Sequence, residues 1–176
     1  MSGDNLDVSK WIKYALSDYS TAINLVRLHN PVPIEIVCYH CQQAAEKILK
    51  AYAIAKNKTL VKTHDLVVLL NQCRQHSVEF DNYAKPCMSL TTYASLSRYP
   101  SNVDITKQQM DTALKDIHDI IDFMISLFAD MGYTIRKQEK QKGKPLAWLE
   151  EAEKKAVEQN ATPPNKVLKG NQFDIE

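Results

Sequence analysis

Glycine is scarce in this chain of 176 residues, four in all, and the prolines number seven. A protein assembled from hairpins and tight turns needs more of both, because glycine reaches left-handed backbone freely and proline pre-sets a turn. The shortage argues against an all-β architecture, while abundant Ala, Leu, Lys, Gln and Ile favour helices. An excess of one charge is also lacking. Lysine and arginine total 22 against 21 aspartate and glutamate, a formal net charge of +1. No global field therefore draws the chain to nucleic acid, and any such binding must rest on a local patch. Long apolar runs are missing too. The longest, residues 120–129, is interrupted by Asp122 and Ser126 and is too short to span a bilayer, so no membrane partner is expected. The opening Met1-Ser2-Gly3-Asp4-Asn5-Leu6-Asp7 sets no basic region ahead of an apolar one. No secretory signal is read there, and a cytoplasmic location is expected.

What is present is a hydrophobic content of 44%, enough at this length for one core and an appendage. Four cysteines occur, Cys38, Cys41, Cys73 and Cys87. The spacing of Cys38 and Cys41 would let two thiolates reach one zinc ion. At 100° per residue, however, both fall on the stripe of Val37, Ala45, Ile48 and Tyr52, where free cysteines behave as small buried hydrophobes. Reduced thiols are expected, with no metal and no cofactor.

Helical periodicity organises residues 9–30, where Trp11, Ala15, Asp18, Ala22 and Leu25 recur on one side and Tyr14, Tyr19, Val26 and Leu28 widen it. Asn30-Pro31-Val32-Pro33 stops this helix and opens the next, which predicts two antiparallel neighbours. The second helix, residues 33–55, carries Val37, Cys41, Ala44, Ala45, Ile48, Leu49, Tyr52 and Ala55 as one stripe. His40, Gln43, Lys47 and Lys50 form a polar row beside it, with Gln42 and Glu46 on the other side. Thr63 or Asp65 can cap a shorter helix through Leu66, Leu69, Leu70 and Cys73. In residues 81–97 Pro86 predicts a helix start or a kink, since it would cost about 3 kcal/mol inside a helix. Thr106 and Gln109 form a capping box for a long last helix to about residue 131, with Met110, Ala113, Leu114, Ile117, Ile121, Met124 and Phe128 inward and Asp111 paired to Lys115. The bundle should close at Gly132. The domain reading is thus a helical bundle over 1–132, a basic linker over 133–145 holding Arg136, Lys137, Lys140, Lys142 and Lys144, and a small helix and tail over 146–176.

Three segments carry a family resemblance. Tyr39-His40-Cys41-Gln42-Gln43-Ala44-Ala45-Glu46-Lys47, continuing through Ile48-Leu49-Lys50-Ala51, is similar to the second helix of HEPN domains. Lys62-Thr63-His64-Asp65-Leu66 resembles the lead-in to their next helix, and Arg98-Tyr99-Pro100 the segment before their last long one. The resemblance spans roughly residues 8–131. It implies an all-α, up-and-down bundle of four to five helices that dimerises, often paired with a minimal nucleotidyltransferase as toxin and antitoxin, some members cutting RNA at a composite dimer site.

The RNA-cleaving branch carries an Arg, a polar residue and, a few residues on, a His. Arg98 matches the first, Tyr99 replaces the small polar residue, and Val103, Asp104 and Ile105 stand where the His is expected. Cleavage by the 2′-OH needs a base to take its proton and an acid to protonate the leaving oxygen. A carboxylate at Asp104 could accept a proton but hardly donate one, and losing such help costs on the order of 10²- to 10⁴-fold in rate. The candidate catalytic residues are therefore Arg98 and, as substitute, Asp104. Candidates for binding nucleotide or RNA are His40, Gln43, Lys47, Arg98 and Tyr99. Each has a plainer role open to it: Arg98 as a salt bridge or carbonyl cap, His40 as a hydrogen-bonded edge residue, His64 as an organiser of the helix start, the basic linker as solvated chain. The functional expectation is a dimeric interaction partner of a nucleotidyltransferase, silent by the usual chemistry. The alternatives are an RNA-cleaving toxin that uses Asp104, His40 or Tyr99 for proton transfer, and a nucleotide-binding regulator that uses His40, Gln43 and Lys47.

Overall fold

The computed structural model describes residues 3–56, 61–96, 104–133 and 135, and every regular element among them is helical. Six α-helices run Gly3–Leu28 (α1), Ile34–Ala55 (α2), Leu66–Arg74 (α3), Ala84–Thr91 (α4), Tyr93–Leu96 (α5) and Lys107–Asp130 (α6). A turn of 3-10 helix, Val78–Tyr83, leads into α4. The basic linker and outlying helix expected beyond Gly132 fall, apart from Tyr133 and Ile135, outside the described residues.

Helix α2 is the centre, packing against each of the other five. Its stripe of Val37, Cys38, Cys41, Ala44, Ala45, Ile48, Leu49 and Tyr52 is buried, because apolar side chains at three- and four-residue spacing leave water together when the helix docks. Helix α1 lies antiparallel beside it: Asp18 meets His40 and Lys47, and Trp11, nearer the start of α1, sits under Lys50, later in α2.

The buried face of α1 is rotated from the expected one. Val8, Ile12, Ala15, Ala22 and Ile23 are inside, whereas Tyr14 is 58% and Leu28 78% exposed. Two apolar arcs compete on this helix, and the arc that wins is the one that also brings Asp18 to the edge facing the polar row of α2.

Both predicted caps form. Asp65 accepts from the backbone N–H groups of Val67 and Val68 at the start of α3, two donors that have no partner inside the helix. Thr106 and Gln109 make the reciprocal capping box of α6. Pro86 is the third residue of α4, within the first turn, where its missing N–H costs no helical hydrogen bond; the start is observed and the kink is not. The expected pair of Asp111 and Lys115 is replaced by Lys107 and Asp111 at 2.6 Å. Both spacings suit a helix face, but here Asp111 turns back toward the first turn of α6.

At its far end α6 closes with two reversed bonds, Gly132 N–H to the Ala129 carbonyl and Tyr133 N–H to that of Phe128, each 2.9 Å. Gly132 has φ +84°, a left-handed conformation that a Cβ would strain. The Tyr133 ring then packs edge-on against Phe128 at 5.6 Å, as this kind of cap favours.

All four thiols are buried and free. Burial pushes the Cys38, Cys73 and Cys87 thiols up to about 12, with smaller contributions from nearby acidic groups, and raises Cys41 well above the ordinary range. Thiolate, the reactive form, is thus suppressed. Iodoacetamide at neutral pH should leave all four unlabelled in the native protein and label all four in denaturant, as counted by intact mass; rapid native labelling would contradict the packing.

Candidate functional site

The polar row of α2 lies along its seam with α1, and its chemistry is organised by a residue of α1. Asp18 accepts from Nδ1 of His40 at 2.9 Å through one carboxylate oxygen and from Nζ of Lys47 through the other. His40 and Lys47 are each 24% exposed at the side chain and Asp18 16%, so the cluster is partly desolvated, where such pairs are stronger than in water. Lys47 also donates to Oε1 of Gln43 at 3.2 Å. Three residues proposed from sequence, His40, Gln43 and Lys47, therefore stand together.

The residues on the other side of the row are inside the protein. Gln42 is 0% and Glu46 5% exposed, a correction to their expected placement on a second polar flank. Burial is tolerated because both are hydrogen-bonded. Gln42 Nε2 donates to Glu46 Oε2 at 3.1 Å and to the backbone carbonyl of His64 at 3.2 Å, and its Oε1 accepts from Gln43 Nε2 at 2.7 Å. Glu46 further accepts from Lys50 at 2.7 Å and from Nδ1 of His64 at 3.1 Å. His64 thus braces the segment leading into α3, next to Asp65, the cap. Lys50 lies 5.8 Å from the centroid of the Trp11 ring, a cation–π distance.

A second polar contact joins α1 to α6. Tyr19 Oη lies 2.7 Å from Nδ1 of His118, whose Nε2 is 3.6 Å from Asp122. Burial, then the charge of Asp122, pushes the Tyr19 phenol well above its ordinary range, so it remains a hydroxyl. This contact fastens α1 to α6 through Tyr19, the residue after Asp18, with hydrogen-bond partners of its own.

Of the remaining candidates, Asp104 is exposed just ahead of the Thr106 cap. Arg98 and Tyr99 lie outside the described residues. Among the described residues no group of three or more His, Cys, Asp and Glu side chains could hold a metal ion, and no helix is long and apolar enough to cross a membrane.

Asp18 is the residue that periodicity misplaces, since it sits among apolar neighbours at helical spacing. A lone carboxylate on an otherwise apolar edge, facing a helix that offers His40 and Lys47 seven residues apart, was the available signal. It becomes readable only once the register between α1 and α2 is known.

A two-helix hairpin packed on a long last helix, with a polar row along the hairpin seam, defines a class of all-α bundle. The comparisons narrow it. A family model described as HEPN domain matches residues 8–127, and the chain belongs to that family. The crystal structure of an archaeal HEPN homologue is similar over 68% of this chain and 96% of its own, with a TM-score of 0.52 at 19% identity, a likeness of fold. No curated protein matches the chain.

Burial alone would raise the Glu46 carboxyl, but hydrogen bonds from Lys50, Gln42 and His64 and the charge of Lys50 outweigh it and hold the group below its ordinary 4.5. A carboxyl depressed on folding adds stability that is complete above the unfolded value and is lost as pH falls through the folded one. Glu46→Gln should therefore flatten the acid limb of stability. Melting temperature followed from about pH 6 down to about pH 3 should drop more steeply for the wild type; parallel curves would remove Glu46 from the acid response. At neutral pH the same variant strips Lys50, 11% exposed, of its carboxylate, and should lose about 3 kcal/mol in urea denaturation.

Proposed function

We propose that the chain works as a homodimer that engages a partner protein, a minimal nucleotidyltransferase of a toxin–antitoxin or defence system, and does not cleave RNA by the usual HEPN chemistry. The bundle of residues 1–132 is the working part in this reading, with the basic segment 133–145 and residues 146–176 as appendages. One observation carries most weight: in the polar row His40 and Lys47 are already taken up by Asp18, and Lys50 by Glu46. An incoming phosphate would have to displace a carboxylate held by two hydrogen bonds, which an open phosphate site does not require. Asp104, the nearest described residue to the position of the absent histidine, is an exposed carboxylate beside a helix cap and supplies no proton donor. Membership of the HEPN family supports the homodimer and the partner class.

Inducible expression of the wild type and of Arg98→Ala, each alone in a bacterial host, tests this reading. Growth and total RNA should be unchanged by either, and the protein recovered from its native cells should bring a nucleotidyltransferase with it. Growth arrest with RNA cleavage that disappears in Arg98→Ala would instead make the chain a toxin, with Asp104, His40 or Tyr99 as the proton-transfer group.

A second reading, a nucleotide-binding regulator, is favoured by the placement of His40, Gln43 and Lys47 on one rim with His40 and Lys47 part-exposed. Titration calorimetry with ATP and GTP should then show saturable heat that Lys47→Ala abolishes. No heat at millimolar nucleotide removes this reading.

A further inference from the structure

The proton directions along the seam follow from which atoms can only give and which can only receive. Lys47 can only donate, so Gln43 must present its carbonyl oxygen to it and its amide nitrogen to Gln42. Gln42 must turn its own nitrogen toward the Glu46 carboxylate and the His64 carbonyl, both pure acceptors. Both amides are therefore oriented by their ends, and the chain of donors runs one way, from Lys47 through Gln43 and Gln42 to Glu46. The same reasoning fixes the two imidazoles. His40 meets the Asp18 carboxylate through Nδ1, and His64 meets Glu46 through Nδ1. A carboxylate offers no proton, so each Nδ1 must carry the hydrogen.

We infer that Asp18 and Glu46 are positioning residues that hold His40 and His64 as Nδ1–H tautomers, leaving each Nε2 as an acceptor, and that Lys47, Gln43 and Gln42 couple the two rings. The inference concerns the row used in the second reading above, but rests on the fold alone and survives if no nucleotide binds. It assigns a chemistry to the rim. His40 Nε2 makes no hydrogen bond to any described residue, and the Lys47 ammonium shares the Asp18 carboxylate with the ring. What such a position takes at His40 is a hydroxyl or N–H donor, or a proton. A carboxylate on Nδ1 fixes the tautomer and orientation of the ring, which is how enzymes arrange general-base histidines. The coupling gives the rim a second end, at the segment ahead of α3. A ligand that draws Lys47 away from Gln43 releases Gln42, and with it the hold on the His64 carbonyl.

Long-range ¹⁵N–¹H correlation spectra of the histidine rings test both parts, with no ligand present. At about pH 8.5, where imidazoles are neutral, His40 and His64 should each show a protonated Nδ1 and an unprotonated Nε2. The reverse pattern in either ring overturns the assignment at that residue. Asp18→Asn keeps an oxygen acceptor and should keep the His40 tautomer, whereas Asp18→Ala should swap it. Asp18→Ala should also move the His64 ring resonances, and that movement should vanish when Gln43→Leu is added. Unmoved His64 resonances, or movement that persists with Gln43→Leu, would overturn the coupling. The wild-type tautomers decide the first part even where Asp18→Ala fails to fold, and in that case Gln43→Leu alone, compared with wild type at His64, decides the second.

Discussion

A helix packed by five others cannot keep all its polar side chains in water, and the rest of this molecule is arranged around that constraint. Helix α2 buries its apolar stripe against α1, α3, α4, α5 and α6, and Gln42 and Glu46 are carried inside with it. Unpaired, each would cost several kcal/mol. The solution is to satisfy every group along a continuous line from the α1–α2 seam to the segment before α3. The orientation of His64 and the placement of Lys50 over Trp11 go with where that line ends.

The interior is otherwise closed by aromatic contacts that join elements distant in sequence. Tyr52 on α2 meets Phe80 of the 3-10 turn at 5.0 Å, Phe80 meets Phe123 on α6 at 5.1 Å, and Tyr83 stacks on Phe123 at 4.7 Å. Ring pairs at such separations add about 0.5–1.5 kcal/mol each beyond the area they bury. They explain why a short 3-10 turn can hold its place between α3 and α4 with only Ser77 to cap it.

How much of this was legible in the sequence depended on how one-sided each helix is. On α6 the apolar positions form a single arc, and Met110, Ala113, Leu114, Ile117, Ile121, Met124 and Phe128 are all buried as their spacing implies. On α1, Trp11, Tyr14, Leu25 and Leu28 offer a second apolar arc, so periodicity alone does not fix the face: Ala15 and Ala22 of the expected stripe are buried, but with Val8, Ile12 and Ile23 beside them. Caps were readable because they are local: Asp65 and Thr106 bond groups two or three residues away. Of the candidate site, His40, Gln43 and Lys47 were readable as a row, since they share one helix. Asp18 was not, because the pairing of two helices is a tertiary fact that no single helix encodes. Gln42 and Glu46 were readable only as polar residues on the other side of the stripe for the same reason, their burial being imposed by neighbours.

One carboxylate serving two partners has a consequence for which sequences can carry this seam. A substitution at position 18 is felt at His40 and Lys47 together, so two partners would have to change to compensate for one. Asparagine there still offers an oxygen to the imidazole but leaves the lysine without its counter-charge. Exchanging Lys47 for a neutral residue leaves Asp18 charged and half-partnered. Neutral drift through single steps is therefore narrow at this spot, and a lineage that abandons one member of the trio is expected to replace all three.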